Sequence, residues 1–133
     1  MLSKNLLLKS VFFIALITVI SGLTQMLMPK LVLTLVGGSM ASPGGNHSFA
    51  IVGMFMVLFG GLCIHALSTE RQEPLVMFWC ALQKLGASVA VSLGVYQEFF
   101  SCLALLVAGF DFLSFILLFI FWWSIKNRKS GAY

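Results

Sequence analysis

The sequence predicts an all-α fold: a polytopic membrane protein built as an antiparallel bundle of four transmembrane helices, with both termini on the cytoplasmic side. Three observations predict it. Apolar residues make up 60% of the 133-residue chain and charged residues 9%, against about 45–50% and about 25% in soluble domains; the mean hydropathy is +1.05. Four apolar stretches each reach the length of about 20 residues that crosses a hydrocarbon core about 30 Å thick. Lys and Arg gather on one side of that arrangement. The length suits a single domain over 1–133.

The first span is expected over 10–28, after Lys4 and Lys9. Residues 1–22 have the basic start and apolar centre of a signal peptide, but no A-x-A-like cleavage site and no lipobox cysteine follow, so an uncleaved helix is expected. An outer loop, 29–47, comes next. Its apolar hexamer 31–36 is too short to cross a bilayer; it either lies at the interface or extends the first helix beyond a kink at Pro29. Its remainder, ending at Asn46 and His47, is Gly-rich. The second span is expected over 48–67 and, past a short charged break that ends at Pro74, the third over 75–96. Only Tyr96, Gln97 and Glu98 separate the third span from the fourth, expected over 99–123, so these two form a tight hairpin.

With an even number of spans the termini share a side. That side holds Lys4, Lys9, Arg71, Lys126, Arg128 and Lys129, and the other holds Lys30, six against one. The positive-inside rule makes the first side cytoplasmic and the location the cytoplasmic (inner) membrane. Trp79, Trp122 and Trp123 then fall toward the inner interface and Tyr96 at the outer one. The net charge of +4 sits at the ends, where it meets anionic lipid; no nucleic-acid partner is expected.

Helices in lipid associate through small residues and polar contacts. The first span offers Ala15, Thr18, Gly22 and Gln25, the second Ala50, Gly53, Gly60 and Gly61, the third Gly86, Ala90 and Gly94, and the fourth Ser101, Ala104, Ala108 and Asp111. The third span carries a second stripe, Lys84, Ser88 and Ser92. Lys84 and Gly86 lie about 200° apart around the helix, so either this helix is sandwiched between neighbours or one stripe meets another protein, and the expected partners are other membrane subunits or a homo-oligomer.

Lys84 and Asp111 lie about 13 and 18 Å from the cytoplasmic ends of their spans at about 1.5 Å per residue. Either charge facing lipid costs at least about 2.5–3.5 kcal/mol. The expectation is a buried Lys84–Asp111 ion pair, with Ser88, Gln83 or Gln25 adding hydrogen bonds. Such a pair either fixes helix register or serves a proton or ion relay, or an anchor for a polar headgroup such as a quinone carbonyl.

His65, in the last turn of the second span, reads as a cation at the negative end of the helix dipole, with a haem or metal ligand as the alternative. His47 is expected in solvent. Cys63, Cys80 and Cys102 lie in apolar runs without a CxxC pair and read as small hydrophobes, the alternative being a redox thiol or a metal site. No metal ligand set, catalytic motif or cofactor is indicated.

The segment from Ser21 to Pro29, with Gly22, an apolar turn and Pro29, resembles the end of the first helix in DoxX-like proteins, small four-helix bacterial membrane proteins. Gln25 stands where that family has Lys. Gly53, Gly60 and Gly61, with the acid Asp111, are similar to a diffuse group of bacterial proteins of this size. The resemblance implies a quinone-linked redox or accessory role. The residues themselves, with almost no exposed loop and no soluble domain, point first to a non-enzymatic accessory or structural subunit packing against a larger membrane complex. A quinone-linked redox component, and a proton-coupled carrier or channel using Lys84 and Asp111, are the alternatives.

Overall fold

The structure is a computed structural model that describes residues 4–37, 42–69 and 73–130. Five helices follow one another: α1 Lys4–Leu27, α2 Pro29–Leu35, α3 Pro43–Ser68, α4 Pro74–Tyr96 and α5 Ala104–Ser130. Among the described residues there is no strand. Segments Asn5–Leu27, Pro43–Ser68, Pro74–Tyr96 and Ala104–Arg128 are long and apolar enough to cross a membrane. Part of the charge count lies outside the described residues: Arg71 and the side chains of Lys4 and Lys129.

Helix boundaries depart from the sequence expectation where a local signal outweighs hydropathy. α1 starts at Lys4 and not at 10, because Lys9 is exposed on the helix and does not end it, while Leu7 packs into the core. At the other end Met28 still donates its N–H to the Thr24 carbonyl, at 2.8 Å. Pro29 then forces Met28 out of the helical region, to φ −132° and ψ 55°. Five residues of the outer-loop hexamer, 31–35, belong to α2, a separate helix restarting at Pro29, which occupies the first turn where no N–H is needed, and Val36 caps its end.

α3 begins at Pro43, not at 48. Ser42 caps it by accepting the Gly45 N–H at 3.0 Å, so the end of the Gly-rich loop, His47 included, is helical. α4 matches its expected span to within one residue.

The largest correction is the last connection, which spans 97–103 where a three-residue turn was expected. Glu98, at φ 61°, takes the left-handed position that ends α4. Its N–H reaches the Val95 carbonyl and the Phe99 N–H reaches that of Gly94, the paired bonds of a Schellman ending. Phe100 folds back over Gly94, where a Cβ would lie 2.5 Å from its ring. Ser101 donates both its N–H and its hydroxyl to the Val36 carbonyl, at 3.0 and 2.9 Å, fastening this connection to the end of α2. Gly37, at φ 73°, makes the approach possible, since a Cβ there would meet Ser101 at 2.5 Å.

The four long helices pack as two close pairs, α1 with α3 and α4 with α5, joined by sparser α1–α5 and α3–α4 contacts. Along the first pair Gln25 meets Phe49, Gly22 meets Gly53, and Ala15 and Val19 meet Gly60. Along the second, Lys84 meets Asp111 and Phe78 meets Trp122. Numbers rise along one helix as they fall along its partner. The glycine contacts are close: a Cβ on Gly53 would lie 2.6 Å from the Met26 nitrogen.

The apolar core fills the half that holds the first turns of α1 and α4 and the last turns of α3 and α5. It contains Leu7, Val11, Ala15, Cys63, Ala66, Met77, Cys80, Ala81, Leu118, Phe121 and Ile125. Beside it Phe112, Phe115, Phe119 and Trp122 form an aromatic ladder down α5, and Lys126 lies over the Trp122 and Trp123 rings at 5.0 and 5.8 Å.

Candidate functional site

Lys84, midway along α4, and Asp111, about two turns into α5, meet where the packed half ends. Lys84 Nζ lies 2.6 Å from Asp111 Oδ1, and the two side chains are 5% and 8% exposed. Pairing answers the cost of holding each charge away from water, since a lone buried charge is far more expensive than a matched pair. The Phe110 ring, 5.5 Å from Lys84 Nζ, adds its negative face.

Beyond the pair the helices do not close. A cavity of about 640 Å³ lies between them, floored by Lys84, Asp111, Gln83 and Thr18. Its walls are apolar, among them Ile17, Val52, Phe55, Val91 and Phe110, and Val36 and Phe100 stand at its far end. The volume falls within the range of about 300–1,000 Å³ typical of small-molecule sites, and so does the character: apolar walls with a few convergent polar groups. Val52 and Phe55 remain 51% and 50% exposed and Leu106 and Val107 more than two-fifths, so the flanks are open along α3 and α5. A second void, about 10 Å³, lies beneath the pair among Thr18, Cys63, Cys80, Gln83 and Lys84, about one water molecule in size.

Ser88, Gln83 and Gln25 were expected to hydrogen-bond the ion pair, and among the described residues none of them does. Gln25 is buried and donates Nε2 to the Phe49 carbonyl at 2.9 Å, tying α1 to α3. Gln83 lines both spaces without a hydrogen bond of its own, and Ser88 is buried one turn along α4. Two other buried hydroxyls are satisfied locally, Thr18 at the Ile14 carbonyl and Ser114 at the Phe110 carbonyl. His65 is exposed in the last turn of α3, away from this group.

The small residues have separate fates. Gly22, Gly53 and Gly60 make the α1–α3 contact, and Ala104 and Ala108 are buried on α5. The α4 stripe, expected as one face, divides three ways: Gly86 faces open space, Ala90 lines the cavity and Gly94 receives Phe100. Gly61 likewise has nothing within 4 Å. Ser101 is not on a helix but in the 97–103 connection, beside an exposed Cys102; Cys63 and Cys80 are buried. Among the described residues no three His, Cys, Asp or Glu side chains gather as a metal site.

Sequence reasoning missed the cavity and the Val36–Ser101 fastening. The alanines Ala87, Ala90 and Ala104 were a visible signal, since small side chains around a polar pair leave volume that larger ones would fill. Nothing local in the sequence pairs Val36 with Ser101, which are 65 positions apart. The arrangement can seat a molecule with a polar head against Lys84 and Asp111 and an apolar body along the walls; a quinone carbonyl is one head that Lys84 or Gln83 could hold. Compared with protein-family models, with curated proteins and with solved structures, the chain matches none.

Proposed function

We propose that this is a binding protein of the cytoplasmic membrane: an antiparallel four-helix bundle, both termini cytoplasmic, that receives a membrane-resident amphiphile in its cavity. The observation that supports the reading is the 640 Å³ cavity with a closed Lys84–Asp111 pair at its floor and apolar, partly open flanks. A ligand dissolved in the bilayer reaches such a cavity sideways and keeps its apolar part out of water throughout. The protein contributes binding and orientation; chemistry on the ligand belongs to a partner. In this form the accessory-subunit role expected from sequence becomes the presentation or storage of a lipid-soluble molecule within a larger membrane assembly.

The DoxX-like, quinone-linked reading is the case in which that molecule is a quinone. A proton-coupled carrier would use the same pair, but the packed core beneath it favours a site reached from one side only.

The test is extraction into mild detergent, followed by native mass measurement and identification of what is released on denaturation. A retained lipid-soluble molecule, lost when Ala90 is replaced by Phe, is the expected result. A protein that carries nothing and takes up no added amphiphile would remove the proposal. The same measurement shows whether other subunits travel with the chain.

A further inference from the structure

We infer that the cavity selects an uncharged head that both donates and accepts hydrogen bonds, as in a single-chain lipid ending in a hydroxyl or a primary or secondary amide. The inference rests on the cavity being a ligand site and goes further, to the chemistry of the head.

Two observations carry it. The first is charge. Among all the residues that line the cavity only Lys84 and Asp111 are ionic, and they already neutralise each other at 2.6 Å. An anionic or cationic head would bring a third charge into a dry space that holds no counter-charge for it, or would have to break the pair and strand one partner; either is costly away from water.

The second is the inventory of unused hydrogen-bonding capacity. A Lys ammonium has three N–H donors, and one is given to Asp111 Oδ1. Gln83 has no partner among the described residues, so its amide offers both a donor and an acceptor. Asp111 Oδ2 has no partner there either, and Gln25 spends its Nε2 on Phe49, leaving Oε1 as an acceptor. The floor thus presents donors from Lys84 and Gln83 beside acceptors from Asp111 and Gln83, with the Gln25 acceptor about two turns further along the wall. An oxidised quinone only accepts, so it satisfies the donors and leaves the carboxylate oxygen unmet. A head carrying both a carbonyl or ether oxygen and an O–H or N–H meets both kinds of group.

The experiment uses the full-length protein in detergent and four probes with alkyl tails of equal length: a monoacylglycerol, a fatty acid, an alkylamine and an alkyl-benzoquinone. Bound fractions are read by native mass spectrometry at equal free concentration. The monoacylglycerol should bind about tenfold more tightly than each of the others, the scale of one additional hydrogen bond to a charged group. Asp111→Asn leaves Lys84 without its counter-charge and should move the preference to the fatty acid. Should that variant fail to fold, Gln83→Leu should weaken monoacylglycerol binding while leaving the quinone less affected. Equal binding of all four, or preference for a charged or acceptor-only head, overturns this inference and leaves the cavity as a ligand site. Binding of none of them overturns both.

Discussion

Lys84 and Asp111 are two costly residues made tolerable by being placed together, and the loss of either one should expose the cost of the other. Each side chain is under a tenth exposed. Asp111→Asn or Lys84→Met alone leaves a buried charge without its counterpart, which costs about 3–5 kcal/mol in comparable pairs. Removing both charges leaves a neutral, if poorly filled, contact. We therefore expect the double variant to be more stable than either single variant, measured by denaturation in detergent micelles as a double-mutant cycle. Additive losses would mean that the two groups act independently. These two residues were legible in the sequence because a charge inside an apolar run has few low-cost resolutions, and their depths differ by about one helical turn. Their surroundings were not legible. Gln25 hydrogen-bonds Phe49 across the α1–α3 contact and not the ion pair, and nothing in its sequence neighbourhood distinguishes those two partners.

At the scale of the elements, hydropathy located the four spans because lipid demands length and apolarity together, but it said little about where helices stop. Stops are set by caps and by backbone geometry: Ser42 at the start of α3, Pro29 at the start of α2, and Glu98 at the end of α4. Glu98 occupies a left-handed position that glycine fills without steric cost. Glu98→Gly should stabilise the protein by about 0.5–1 kcal/mol, read as a raised unfolding midpoint. The glycines separate packing from mere occurrence. Gly53→Ala would place a Cβ within 2.7 Å of backbone atoms on α1, and it should cost about 1–3 kcal/mol as the helices move apart. Gly86→Ala meets nothing within 4 Å and should leave stability unchanged or slightly raised, as the higher helix propensity of Ala implies. The sequence shows Gly53 and Gly86 alike as small residues in apolar helices. Only the partner helix tells them apart.

The whole molecule is divided by the ion pair into a filled half and a hollow half, and that division is where a functional reading has its physical basis. In the filled half Val11, Met77 and Ala81 are fully enclosed, at 0% exposure, and in the hollow half Ala87, Ala90 and Ala104 surround open volume. The same substitution should therefore have opposite consequences on the two sides. Ala81→Phe adds a ring where interdigitated side chains leave no room, and overpacking of that kind costs about 1–3 kcal/mol or more. Ala90→Phe, about two and a half turns further along α4, adds the same ring to a space already large enough for it. It should leave the unfolding midpoint near that of the parent while sharply reducing retention of any bound amphiphile. The pair of measurements discriminates because each variant controls for the other: both add one phenyl group to α4, and both are assayed in the same detergent for midpoint and for bound lipid. If Ala90→Phe destabilises as much as Ala81→Phe, the hollow half closes in the membrane, and the cavity cannot be the seat of function. If Ala90→Phe is stable yet keeps its ligand, the molecule binds elsewhere.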